Sequence, residues 1–390
     1  MTADQPPGLA DSAGDDPLVT DIDAYRETVR AFVTSPAVDE WRGGYVEDVP
    51  AEMAFTAGLM RALYDGRVGR YGLPVEAGGL GGDVRHWAVL YDELARADLP
   101  STGQHSLLTT LAYPIVKYAP ELAARYLPEF LKGERWWGQG FSESEAGSDM
   151  ASMRCRATRE GEEYVVSGHK LWTSHGATAS RVVVLLRTGT QESRHRGLSM
   201  ILVDVDMPGV TVRPIELATG RAELAECFFD DVRVPADRLI GAEGQGWEIA
   251  MYLLQFERAV YAWLRASVLL RRVRALAAEA PPGQEADRLL GTVYLDLVAL
   301  RARSVNTVRR LAAGETVGPE ASADKLLLGA CEQSVYDAAR AVLGAGFLFG
   351  DASAQWRENW WFSRTTTIYG GSAEVQRGII ADRVLTLPKE

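Results

Sequence analysis

The sequence predicts a mainly α fold with a β domain set into its middle. Three observations carry this. Apolar residues recur at helical spacing up to about Lys132, β-branched and alternating runs take over from Gly138 to Pro235, and helical spacing then returns almost to the end. With 390 residues, the chain can build two or three packed units.

Residues 1–20 read as a disordered lead: Met1 to Asp16 hold no Lys or Arg and are rich in Pro, Gly, Ala and Asp, which is not a signal peptide. Residues 21–136 form an N-terminal helical domain, seen in Tyr25, Val29 and Phe32 and again in Trp87, Leu90, Tyr91 and Leu94. A Gly/Pro break interrupts it from Gly72 to Gly82. Residues 137–236 form a β domain of five to eight strands. Its runs are Glu163–Ser167, Arg181–Arg187, Leu198–Asp204, Val210–Pro214 and Cys227–Val234, separated by turn signals such as Met207-Pro208-Gly209. Residues 237–390 form a bundle of four amphipathic helices, at about Gly246–Glu279, Ala286–Ala312, Ser322–Leu343 and Ala373–Leu385.

The formal charge of -12 argues against nucleic acid or an anionic membrane as the main partner. No apolar run approaches the ~18 residues that span a bilayer. Cys155, Cys227 and Cys331 are far apart and read as buried residues in a reducing compartment, which points to the cytoplasm. Five dispersed histidines show no metal-ligand spacing, so no metal is expected. Gly344-Ala-Gly346 with Gly350 follows a helical run instead of a strand, which discounts a dinucleotide loop.

Two segments carry chemistry. Gly140-Phe-Ser-Glu-Ser-Glu-Ala-Gly-Ser-Asp149 offers hydroxyls, bare amides and glycines that permit close backbone approach, as a phosphate or flavin edge requires. Taken alone, a polar turn stabilised by Ser and Asp side chains is the better explanation for such a loop. Gly168-His-Lys-Leu-Trp172-Thr173-Ser174-His-Gly176 places an aromatic ring and hydroxyls at a strand end. Together with Gly72-Leu-Pro-Val-Glu-Ala-Gly-Gly79, Gly241-Ala-Glu-Gly-Gln-Gly-Trp247, Phe256-Glu257-Arg258 and Ile368-Tyr-Gly-Gly-Ser-Ala-Glu-Val-Gln-Arg377, these segments resemble the acyl-CoA dehydrogenase family, in its order, from about Tyr71 to Leu387.

The resemblance implies an N-terminal helical domain, a middle β-barrel and a C-terminal four-helix bundle. It implies FAD, with Phe141, Ser142, Gly147 and Ser148 along the flavin and pyrophosphate. Trp172, Thr173 and Ser174 would lie against the isoalloxazine, and Gly371, Ser372 and Glu374 would approach from the C-terminal side. Ser148, Arg258 and Tyr369 would contact substrate. The implied reaction is α,β-dehydrogenation of an acyl-CoA, or of an acyl carrier protein thioester, to a trans-2-enoyl thioester, with electron-transfer flavoprotein as acceptor.

A thioester α-proton is weakly acidic, so a positioned carboxylate must take it while donors hold the carbonyl. Many family members place this carboxylate directly after the Tyr of the C-terminal motif. Here that position is Gly370, which has no side chain. In isovaleryl-CoA and long-chain acyl-CoA dehydrogenases the base precedes the Arg of the bundle helix, which here is Glu257. The resemblance keeps a role for Gly370 through its backbone N–H, as part of the oxyanion hole. Two stretches depart from the family. The Arg-x-x-Phe-Gly motif is replaced by Ala278-Glu-Ala-Pro-Pro-Gly-Gln284-Glu-Ala-Asp-Arg288, and Gly-Gly-x-Gly is replaced by Gly344-Ala-Gly-Phe. Some relatives with such departures are mixed assemblies of two related chains, so a homo- or hetero-oligomer, with a dimer of dimers as its form, is expected. A same-fold oxidase or flavin monooxygenase, or one subunit of a hetero-oligomeric dehydrogenase, is the alternative.

Overall fold

The computed structural model describes residues 16–44, 46–101, 103–350 and 353–388. Residues 1–15 of the expected lead lie outside the described residues. The remainder of that lead is ordered. Pro17–Thr20 form a one-turn helix, α1, because Pro17 opens it, the Asp16 side chain accepts from the Leu18 N–H, and Leu18 is buried.

The N-terminal domain continues with α2 (Ile22–Val33), α3 (Val49–Asp65), α4 (Val84–Arg96), α5 (Gly103–Tyr118) and α6 (Pro120–Leu131). Asp21, Asp48 and Asp83 cap α2, α3 and α4 through their side chains. The Gly72–Gly82 break is a tight reversal, with Leu73 bridged to Gly81. Tyr25, Leu59, Leu63, Trp87, Tyr91, Leu94 and Phe130 fill its core.

The middle domain is one eight-stranded sheet: β1 (Trp137–Gly140), β2 (Arg156–Glu160), β3 (Glu163–Ser174), β4 (Arg181–Arg187), β5 (Leu198–Asp204), β6 (Val210–Ile215), β7 (Leu224–Pro235) and β8 (Leu239–Ile240). Its order is β6-β7-β3-β2-β4-β5-β8, with β1 pairing parallel to β4. β3 runs seven residues beyond its expected end at Ser167. The cause is Gly168, at φ +144° where the register shifts, whose α-carbon passes so close to Cys155 that a Cβ would sit 2.6 Å from the Cys155 backbone.

The C-terminal domain holds α7 (Gly246–Glu279), α8 (Gln284–Ala312), α9 (Ala321–Leu343), α10 (Ala345–Phe349), α11 (Ala354–Ser363) and α12 (Ala373–Ile379). α12 runs on as one π turn, Ile380–Val384, so the fourth bundle element is helical almost to its expected end. α10 and α11 are short helices that the periodicity did not reveal. The 34-residue α7 is the central post: one part packs on α4 and α5, the rest on α8 and α9. Leu253, Leu254, Phe256, Ala259, Val260 and Trp263 are all buried, so nearly every face of this stretch is covered. Among the described residues, no helix is long and apolar enough to cross a membrane.

Candidate active site

Two packing contacts fix the rotation of α7. The Trp263 indole N–H donates to the Ala88 carbonyl of α4 at 2.9 Å, and the Phe256 ring stacks on Tyr113 of α5 at a centroid distance of 4.4 Å. With those faces committed, Glu257 projects toward the sheet and the C-terminal turn. Its Oε2 accepts a hydrogen bond from the Gln139 amide of β1 at 3.3 Å. On the other side lies Gly370, at φ +65°, where a Cβ would stand 2.7 Å from Glu257 Oε1. The absence of a side chain at Gly370 and the presence of one at Glu257 are therefore one spatial fact: the carboxylate occupies the space a Gly370 side chain would need.

Tyr369, next in the chain, hydrogen-bonds the Tyr261 hydroxyl at 3.2 Å, one helical turn beyond Glu257. Burial pushes both phenols up, that of Tyr261 to about 12, so both stay neutral donors at physiological pH. Arg258 turns toward Gly371, where a Cβ would lie 3.6 Å from its Nη2. Burial pulls the Arg258 guanidinium down, against the upward pull of Glu257.

The sheet side is held by an ion pair that sequence reasoning missed. Lys170 on β3 is fully buried, and its Nζ donates to the Phe141 carbonyl at 3.1 Å and to Glu143 at 2.7 Å. Glu143 also accepts from the Arg154 and Cys155 N–H groups at 2.7 and 3.0 Å. Burial pushes the Glu143 carboxyl up, but Lys170 and these amides outweigh it and hold it below the usual range. The loop from Phe141 to Asp149 is thus fastened at its root while its tip stays open: Gly147 and Ser148 are exposed, and a Cβ at Gly147 would touch nothing. Ser142 ties the loop to β3, its carbonyl accepting from the Leu171 N–H at 2.9 Å.

At the end of β3 the backbone is strained. Trp172 adopts φ +62°, rare for a bulky residue, and leaves its ring 51% exposed. Thr173 is buried beside the Cys227 thiol, and Ser174 is half-buried. A strained residue that presents a large aromatic face to open space is built to receive another flat surface.

A flavin fits these residues on two observations. Trp172 offers that face, and two buried polar atoms near Gly371, Arg258 Nε and Gln376 Oε1, have no hydrogen-bond partner. Ser372 spends its hydroxyl on the Val375 N–H as the cap of α12, while Glu374 faces solvent beside Arg377 and stands outside the groups that converge on Glu257. Gln284 and Arg288 are exposed on α8. Three further polar residues at the site were not foreseen: Gln139, Tyr261 and Lys325. Lys325 left a trace, since Asp324, Lys325 and Glu332 interrupt the stripe Leu328, Cys331 and Val335 on the buried face of α9.

The chain matches the N-terminal domain of acyl-CoA dehydrogenases over residues 20–134, their middle domain over 138–232 and their C-terminal domain over 244–385. It belongs to the acyl-CoA dehydrogenase family. Acyl-CoA dehydrogenase IpdE1 of Mycobacterium tuberculosis is 38% identical over 327 residues, covering 82% of this chain and 84% of that protein. Acyl-CoA dehydrogenase IpdE1 of Mycolicibacterium smegmatis is 37% identical over 340 residues, covering 82% and 85%. Among solved structures, the Tcur3481-Tcur3483 steroid ACAD superposes with a TM-score of 0.80 at 26% identity, covering 97% of this chain and all of that one. The three-domain order foreseen from periodicity is thus that of an acyl-CoA dehydrogenase, and the chain is an oxidoreductase of that type.

Proposed function

We propose that this acyl-CoA dehydrogenase carries out FAD-dependent α,β-dehydrogenation of an acyl-CoA thioester, with Glu257 as the base that takes the Cα proton. The observation that carries the proposal is the meeting of Glu257 Oε1 and the side-chain-free Gly370, which leaves one carboxylate facing the turn of Tyr369 to Ser372. When bound, FAD supplies the acceptor for the Cβ hydride. Phe141, Ser142, Gly147, Ser148, Trp172, Thr173 and Ser174 would hold it from the sheet side, and Gly371, Ser372 and Glu374 from the bundle side.

Glu257 accepts the α-proton and becomes a neutral carboxylic acid. The Gln139 amide, donating to its other oxygen, keeps the carboxylate oriented. The Gly370 N–H polarises the thioester carbonyl as charge builds on its oxygen. Tyr261 and Tyr369 wall the reacting carbons from water, and Arg258 with Ser148 holds the substrate. Electron-transfer flavoprotein would be the acceptor of the electrons. The solved steroid ACAD bears two component names, which supports a mixed assembly of related chains for this protein too, and it puts steroid-derived acyl thioesters first among substrates to try.

Anaerobic titration of the purified holoenzyme with a panel of acyl-CoAs, followed in the visible spectrum, tests the reading. Flavin bleaching by one acyl class, with Glu257→Gln slowing it by on the order of 1000-fold while flavin content holds, is expected. Unslowed bleaching in Glu257→Gln would overturn the base assignment, and rapid reoxidation by air would reassign the protein to the same-fold oxidases.

A further inference from the structure

Lys325 sits on α9, which packs against α7. Its side chain is buried. Its ammonium donates to the Thr366 carbonyl at 2.5 Å and lies 3.9 Å from the centre of the Tyr369 ring. Gly370 brings it to the base. A Cβ at that position would lie 3.3 Å from Lys325 Cε as well as 2.7 Å from Glu257 Oε1, so the two side chains approach each other across a single vacant Cβ position. The other charged and titratable groups that face Lys325 are Arg258 from α7, Glu332 from its own helix, Tyr369 from the turn and Arg377 from α12, which lines the same small cavity. Glu332 is paired with Arg265 and Glu257 lies beside Arg258, and of the two carboxylates Glu257 is the one that meets Lys325 at Gly370.

We infer that Lys325 is a positioning residue for the base, the counter-charge that faces Glu257 across Gly370 and holds it turned toward that glycine. This rests on the reading of Glu257 as the base. Burial pulls the ammonium down to about 8, against the opposing pull of Glu257, so Lys325 keeps its charge through the neutral and acid range.

The test follows proton transfer without hydride transfer. 3-Thiaoctanoyl-CoA has sulfur in place of Cβ, so it can lose a Cα proton but has no β-hydride to give. The Cα–H bond breaks, its electron pair stays in the thioester enolate, and the proton passes to Glu257, which exchanges with solvent. Deuterium uptake by this probe on the holoenzyme in D2O, measured by mass spectrometry from pH 5 to 9, gives the acid limb of the exchange. In Lys325→Gln the limb should move up by about one pH unit or more, with exchange about tenfold slower below it, as loss of a nearby unit charge requires. Lys325→Arg should leave the limb in place. A Lys325→Gln limb coincident with the wild type, in protein of unchanged circular dichroism, would overturn the inference alone. No exchange in the wild type, or exchange untouched by Glu257→Gln, would remove the base assignment and the inference with it. If Lys325→Gln does not fold, the stability profile of Glu257→Gln decides. Without the carboxylate, the rise in stability as Lys325 sheds its proton should set in at lower pH, and an unmoved onset would overturn the inference.

Discussion

The two walls of the site are finished to different degrees. On the sheet wall every charge is matched: Lys170 is held by Glu143 and a carbonyl, and Glu143 by Lys170 and two amides. On the bundle wall Arg258 Nε and Gln376 Oε1 are buried without partners, and Lys325 carries a charge in a buried position beside Glu257. The sheet wall is a mount whose buried ion pair is complete without anything bound, although Thr173 Oγ1 at its end also lacks a partner. The bundle wall is unfinished in the way a surface is when a ligand supplies the missing hydrogen bonds.

If this contrast is right, the walls should fail differently. The largest effect is expected at the mount. Lys170→Met leaves the Glu143 carboxylate without its cation, a loss of roughly 3–5 kcal/mol in the unfolding free energy from urea titration, together with loss of flavin. Lys170→Met with Glu143→Gln should recover part of that stability, and no recovery would break the claim that the two residues act as a pair. An intermediate effect is expected on the bundle wall from Gly370→Ala. The new Cβ meets Glu257 Oε1 at 2.7 Å and must take φ +65°, which costs about 1 kcal/mol. Stability should fall by only about 1 kcal/mol, while kcat falls on the order of 100-fold as the Glu257 carboxylate is displaced. Equal losses of stability and rate would erase the distinction between the walls.

The smallest effect is a pH dependence at Glu223, beside the end of β3. Burial above all, helped by Glu358 and Glu52 against the pull of Arg221, pushes its carboxyl up to about 7. The folded chain then keeps a proton that the unfolded chain has released, so stability falls as pH rises from about 4.5 to about 7. Glu223→Gln should remove that fall, raising Tm by a few degrees at pH 8 and leaving it nearly unchanged at pH 4.5, as calorimetry at the two pH values would show.

What was legible in the sequence divides along physical lines. Helices and strands reveal themselves by period, and Arg181–Arg187 and Leu198–Asp204 have the predicted bounds because each is a local apolar run. Glu257 was legible through a comparison of two positions, since the resemblance allows either a helix-borne or a turn-borne carboxylate and only one is present. Lys170 and Glu143 were not legible, because the pair is made by two segments 27 residues apart and neither shows a local pattern. Lys325 was hidden for the same reason: its meaning depends on a turn 41 residues further on, through the Thr366 carbonyl. The strain at Trp172 has no sequence signature, since an aromatic residue at a strand end reads as ordinary core.

Arg221 extends this beyond the site. Its buried guanidinium donates to the Val46 and Glu47 carbonyls at 2.9 and 2.7 Å, pairs with Glu52 at the start of α3, and lies 3.2 Å from Glu358 on α11, while its own backbone lies in the loop that precedes β7. One side chain is therefore anchored in all three domains at once. Loosening either helical domain takes partners from this buried cation, a cost that couples the domains. The consequence is thermodynamic coupling: heat should melt the three domains in one cooperative transition, and Arg221→Ala should split it into separate steps.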